Sequence, residues 1–203
     1  MKKLLFFASG VFIMLLTSCT KENNLQHLQA HDANKMMTLM HQMMSQMDTV
    51  PKTNDPEIDF LKMMRVHHQG AINMANLELK EGKNDSLKRT AQKIIKEQQE
   101  EITQFSAFLA THSANNSVPQ FTMEHEESMM KMAKIADVQF ITGDIDNDFA
   151  TLMIPHHQAA TENAMTYLKY GNDEQVTVWA HKIIDTQKME IIELSNWLIA
   201  NKR

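Results

Sequence analysis

The sequence predicts an all-α protein built from two copies of a three-helix unit, and three observations predict it. The 203-residue chain has only five glycines and four prolines, so long stretches carry no helix breaker. No apolar run alternates with period two over a useful length, which removes the signal for a sheet. Above all, the chain repeats itself without a gap at an offset of 89 residues. Asp59-Phe60, Met64, His67-His68-Gln69, Ala71, Ala75, Leu79-Lys80 and Gly82 return as Asp148-Phe149, Met153, His156-His157-Gln158, Ala160, Ala164, Leu168-Lys169 and Gly171. The match continues through Ala91/Ala180, Lys93-Ile94-Ile95/Lys182-Ile183-Ile184, Gln98/Gln187, Glu101-Ile102/Glu190-Ile191, Ser106/Ser195 and Leu109/Leu198.

At the N-terminus, Lys2-Lys3, an apolar run over residues 4–16 and the small Thr17-Ser18 form an export signal, too short to span a bilayer comfortably. Leu16-Thr17-Ser18-Cys19 resembles the bacterial lipobox, which predicts removal of residues 1–18 and lipidation of Cys19. The expected product is an exported lipoprotein, anchored to a membrane and facing the periplasm or the cell exterior. Residues 19–30 are a polar tether, 31–112 the first unit, 113–119 a linker and 120–203 the second unit, the two units packing as one domain.

Each unit is expected to open with a Met-rich helix, near 31–47 and 121–140, followed by the His-His helix, near 57–81 and 147–170. A third, amphipathic helix follows near 85–111 and 173–200. Asp55-Pro56-Glu57 supplies an N-cap with proline in the first turn, and Gly82 with Asn84-Asp85 ends one helix and starts the next. The second copy keeps the punctuation, with 144–147 before its His-His helix and Gly171-Asn172-Asp173 after it. Two long hairpins related by duplication pack most simply as a pseudo-symmetric four-helix bundle, with the Met-rich helices lying against it.

Composition excludes several function classes. Cys19 is the only cysteine, so once it is acylated the exported domain offers no thiolate to a metal. Loss of Lys2 and Lys3 leaves 18 basic against 25 acidic side chains, about −7, which argues against nucleic acid as a partner. Glu-x-x-His, His-Glu-x-x-His and Cys-x-x-Cys-His are all absent, and with them the sequence signals for a di-iron carboxylate centre, a zinc hydrolase and covalent haem. No nucleophile has a recognisable setting, so no catalytic residue is expected.

What remains is a concentration of soft and borderline donors: 18 methionines and ten histidines. On the His-His helix, Met63, His67 and Met74 share one stripe and Met64 lies one turn before His68, while Met153 precedes His156-His157 by the same turn. Adjacent imidazoles diverge by about 100°, which predicts one facing the bundle interior and the other a flanking helix. On the first helix Met36, Met40, Met43 and Met47 form one stripe and Met37, His41 and Met44 a second. The offset maps Met36, Met40 and Met43 onto His125, Met129 and Met132. Thioether sulfur favours Cu(I) and its mimic Ag(I), and imidazole serves Cu(I) and Cu(II) alike. The candidate metal ligands are therefore His67, His68, His156 and His157, then Met64, Met74 and Met153, then Met40, His41, Met43, Met129 and Met132. Against this stands packing, because methionine is a flexible core filler at the same spacing. The acidic runs Glu124/Glu126/Glu127 and Glu97/Glu100/Glu101 read as solvated faces, and His27, His31, His112 and His181 as surface or helix-end residues.

The text Phe60-Leu61-x-x-Met64-x-x-His67-His68-Gln69-Gly70-Ala71-Ile72-x-Met74-Ala75, with Phe149-x-x-x-Met153-Ile154-Pro155-His156-His157-Gln158-x-Ala160, resembles the family of domain of unknown function 305. The resemblance covers about residues 31–201. It implies a ferritin-like fold and, by similarity to copper-binding members, exported copper binding and copper tolerance. The leading expectation is a lipid-anchored copper-binding protein that sequesters Cu(I) or hands it to a transfer protein, and accepts Cu(II) at the histidines. Ala159 and Asn163 depart from the first copy's Gly70 and Met74 and predict an unequal second site. The competing expectation is a helical interaction module whose Met-rich faces take varied partners without metal; a copper or iron oxidoreductase is the third.

Overall fold

A computed structural model describes residues 28–201. The expected leader, the lipidation site Cys19 and His27 lie outside the described residues. After a short 3₁₀ turn at His31–Ala33 come α1 (Lys35–Asp48), α2 (Pro56–Glu81), α3 (Asp85–Thr111), α4 (Pro119–Asp137), α5 (Ile145–Tyr170) and α6 (Glu174–Ala200). The described residues contain no strand, and none of their helices is long and apolar enough to cross a membrane.

Side chains close the helix starts where the sequence places caps. Asp55 accepts from the Ile58 N–H with Pro56 in the first turn, Asp144 accepts from Asn147, Asn84 from Ser86 and Leu87, and Asp173 from Val176. Each cap satisfies amide donors that the first helical turn leaves without partners. The turn before each His-His helix is held a second time. Asp59 accepts from the Thr53 and Asn54 amides and the Thr53 hydroxyl, and Asp148 from the Thr142 and Gly143 amides and the Thr142 hydroxyl. Both turns need a left-handed residue, Asn54 at φ 63° and Gly143 at φ 80°.

Hairpins α2–α3 and α5–α6 form the four-helix bundle, joined mainly where α2 lies along α5, and α1 and α4 pack over this seam. At 26 residues each, α2 and α5 are about 39 Å long and cross most of the domain. The bundle has two apolar cores. One holds the C-terminal half of α2, the start of α3, the start of α5 and Leu194 of α6, with the buried faces of α1 and α4. Ten of its buried residues are methionines: Met36, Met37, Met40, Met43 and Met47 on α1, Met63 and Met74 on α2, Met129 and Met132 on α4, and Met153 on α5. The other core, at the opposite end, is aromatic, with Phe60, Phe105, Phe108, Phe121 and Tyr167 and the single methionine Met64. There Phe60 stacks on Tyr167 at 4.9 Å, and Trp179 of α6 meets Phe105 of α3 at 5.3 Å.

Each hairpin turn is tied to the start of the other unit's His-His helix. Asp146 accepts from the Lys83 and Asn84 amides, and Glu57 from the Asn172 and Asp173 amides. At the aromatic end the Tyr167 hydroxyl also donates to Glu57, 3.4 Å away. At the Met-rich end the equivalent position holds Glu78, whose buried carboxyl is pushed up to about pKa 8, first by burial and then by the neighbouring Asp146.

Candidate metal centre

Between the two cores lies a fully buried polar layer. His67 of α2 and His156 of α5 stack with ring centroids 3.6 Å apart, and His156 Nε2–H donates to the His67 carbonyl at 3.1 Å. His68 turns to α3, where its Nε2–H donates to Glu101 at 2.8 Å, and His157 turns to α6, its Nε2 3.0 Å from Glu190 but poorly aligned for a hydrogen bond. Each carboxylate is reached by a lysine of the other unit, Lys182 at 3.3 Å from Glu101 and Lys93 at 3.7 Å from Glu190. Gln98 and Gln187, one turn before these glutamates, are also buried. Every member of the layer is related to its counterpart by the 89-residue offset.

Two expectations are corrected here. The second histidine of each pair faces the third helix of its own unit and not a flanking Met-rich helix, because Glu101 and Glu190 stand ready to accept its N–H. Glu101 belongs to no solvated face: only 4 % of its surface is exposed, and its carboxylate is enclosed by His68 and Lys182. Burial pushes the Glu101 carboxyl up, but the His68 bond and the His68 and Lys182 charges outweigh it and hold the pKa below the usual carboxylate range. His67 and His156 lie well below the usual imidazole range, first through burial and then through repulsion among neighbouring imidazoles, so both rings are neutral and free to act as ligands.

The ring nitrogens are used unevenly. His68, His156 and His157 each turn Nε2 to an oxygen and leave Nδ1 with no partner, while both nitrogens of His67 are unpartnered. A metal-binding imidazole characteristically donates one N–H to a carboxylate or carbonyl and offers the other nitrogen to the ion. Each buried nitrogen left without a partner otherwise costs about 1–3 kcal/mol. The donor set therefore fits a metal. Among the described residues no three His, Cys, Asp or Glu side chains converge on one point, so an ion here takes few imidazoles and needs thioether to complete its shell. Met64 and Met153, each one helical turn before its histidine pair, flank the layer from opposite cores.

The remaining sequence candidates divide. Met40, Met43, Met74, Met129 and Met132 are buried together in the Met-rich core, and the Met43 sulfur lies where a Cβ on Gly70 would sit, so this glycine sets how closely α1 approaches α2. His41 is exposed and bonded to Asp137 at 2.8 Å, away from that core. Asn163, the counterpart of Met74, is buried and donates to Ser128 and the Ala159 carbonyl, so the second copy replaces a thioether with a polar clasp. Sequence reasoning missed Glu101, Glu190, Gln98 and Gln187. The signal was present: buried positions on α3 run 87, 91, 94, 98, 101, 105, 108, a heptad stripe in which these polar residues take apolar places, and α6 repeats it.

A duplicated helical bundle with a buried histidine layer and a methionine-rich core defines an all-α protein of the four-helix class. The sequence profile described as Domain of unknown function (DUF305) matches residues 12–109 and 57–198, and the chain belongs to this family. No curated protein matches it in sequence. Among solved structures it is similar to CopM in the Ag-bound form obtained by soaking, with 24 % identity and TM-score 0.57 over 74 % of this chain and all of that one. CopM in the Cu(I)-bound form gives 23 % and 0.55 over 72 % and 98 %, and in the Cu(II)-bound form 27 % and 0.53 over 70 % and 94 %.

Proposed function

We propose that this protein binds copper outside the cytoplasm and holds or hands on Cu(I), accepting Cu(II) at the imidazoles, in copper tolerance or homeostasis. The observation that carries the reading is the buried imidazole layer, in which His68 and His156 have one nitrogen bonded to an oxygen and the other unpartnered, His157 points one nitrogen at Glu190, and His67 has both free. His67, His68, His156 and His157 would supply nitrogen, Met64 and Met153 sulfur, and Glu101 and Glu190 would fix the rings without touching the ion. A shortage of converging nitrogens beside abundant thioether favours Cu(I), which accepts low coordination with soft donors. CopM, solved with Ag, Cu(I) and Cu(II), supports the same choice of metal. Its role would be binding alone, with no general acid or base.

In this reading the protein is an exported lipoprotein held at a membrane through Cys19, its metal passing to a transfer protein on the same side. Cu(I) titration of the full chain against a competing chelator tests the binding, with His67→Ala/His68→Ala and His156→Ala/His157→Ala as comparisons. Wild-type affinity no higher than that of both double variants would refute a metal site in the layer. Acyl-chain labelling lost in Cys19→Ala tests the anchor.

A further inference from the structure

Outside the histidine layer the described residues contain one more buried imidazole with no partner. His125 of α4 is 2 % exposed, and neither ring nitrogen makes a hydrogen bond. Its ring packs 5.2 Å from Phe121 and lines a cavity of about 10 Å³ together with Met63 of α2. Met63 is also part of the wall of a larger cavity of about 300 Å³ between α1, α2 and α4, whose other sulfur-bearing walls are Met44, Met47, Met129 and Met130. Exposure falls inward along this set, from 58 % at Met130 to 7 % at Met129 and Met63, 4 % at Met47 and 2 % at His125. The ion pair of Lys52 with Glu126 borders both cavities on the solvent side, so the nearby cation is balanced by a carboxylate.

The duplication supplies an internal control. At the 89-residue offset the counterparts of His125, Met129 and Met63 are Met36, Met40 and Leu152, and those of Met44 and Met47 are Ala133 and Ala136. The symmetric location therefore lacks both the buried imidazole and the sulfur on the long central helix; its histidine, His41 at the offset of Met130, is exposed and bonded to Asp137. A buried ring with two unpartnered nitrogens is a net cost to the fold, whereas an apolar side chain of similar size would be stabilising there. Placed across Met63 from a thioether-lined cavity, that cost has a use.

We propose that the two neighbouring cavities that share the Met63 wall form a second, separate site for a monovalent soft cation, Cu(I) or Ag(I), held by His125, Met63 and Met129 and reached from solvent past Met130 and Met44. Burial holds His125 down at about pKa 4, with Lys52 adding to the effect, so the ring is neutral and available as a ligand at neutral pH. The proposal shares with the preceding section the premise that this chain takes soft cations, but it requires nothing of the His67/His156 layer.

Titration of the full chain with Ag(I), read by methyl-13C methionine and imidazole-15N spectra, tests it. The Met63 and Met129 methyls and the His125 nitrogens should shift together, in a step that persists in His67→Ala/His156→Ala. His125→Leu should lose that step, with affinity at least tenfold weaker, while keeping its helix content and melting no lower than wild type. Met63→Leu, which copies the counterpart Leu152, should weaken the same step and leave the fold unchanged. If His125→Leu and Met63→Leu both titrate as wild type, the proposal is overturned; if silver is lost only in the layer variant, this site falls and the layer stands. A step that survives the layer variant and vanishes in His125→Leu supports this site whatever becomes of the other.

Discussion

The two ends of the bundle are related by a duplication that preserves the backbone and yet fills them with different chemistry. At one end Phe60, Phe105, Tyr167 and Trp179 interlock as rings; at the other, Glu78, Leu194 and Thr90 stand at the offset positions of Tyr167, Phe105 and Trp179, and methionines fill the space. Rigid aromatic packing makes one end the better anchor, while unbranched thioethers leave the other able to adapt. The difference teaches that duplication fixed the lengths and caps of the four bundle helices and the polar layer, and left the ends free to specialise.

The largest expected effect tests that contrast directly. Phe60→Ala should cost the metal-free protein about 3–5 kcal/mol and Met74→Leu less than about 1.5 kcal/mol, measured by urea unfolding. Equal losses would mean that the Met-rich end is as tightly interlocked as the aromatic one. Next comes the layer itself. His68→Ala leaves the Glu101 carboxylate buried with only Lys182, and a loss of about 3 kcal/mol is expected. His157→Ala should cost less, since His157 is less well aligned with Glu190; thermal melts of the two variants give the order.

A smaller effect separates the ends by pH. Because Glu78 has a folded pKa of about 8, above its usual value of 4.5, it binds its proton more tightly in the native state. The contribution of Glu78 to stability is therefore full at low pH and is lost as pH rises through that window, by roughly 2 kcal/mol once solvent screening is allowed for. Glu78→Gln should flatten the decline between pH 5 and pH 8, whereas Tyr167→Phe should leave it in place. Smallest of all is the turn before each His-His helix. Gly143→Ala forces a side chain into the left-handed region at φ 80° and should cost about 1 kcal/mol, and Asn54→Gly a few tenths, both read from melting midpoints.

Caps and periodicity made the helices legible. Asp55-Pro56, Asn84 and Asp173 mark starts that the structure places within a residue or two of expectation, because local hydrogen bonding decides them. The start of α1 differs, at Lys35 and not near 31, since Asn34 caps it after a separate 3₁₀ turn and donates to Asp148 of the other unit. The layer was half legible. His67 and His156 announce themselves as a repeated polar pair on a buried helix, but their alignment across α2 and α5, and the turning of His68 and His157 to α3 and α6, depend on how hairpins pack. Glu101 looked solvated beside Glu97 and Glu100; only its place in the heptad stripe distinguishes it. His125 was visible as the odd member of a methionine series, yet its lack of partners is a property of three helices at once.

The crossed lysines have a consequence for how such a chain closes. Unit one gives Lys93 to Glu190 and receives Lys182 at Glu101, so each half donates what it also requires. That reciprocity is the rule of an isologous interface, where one surface meets a copy of itself about a two-fold axis. Residues 112–118 thus join what is, in its contacts, a dimer of one helical unit with itself. A chain carrying two first units in tandem would keep every Lys–Glu crossing and the imidazole stack, and would give up only what makes the halves different.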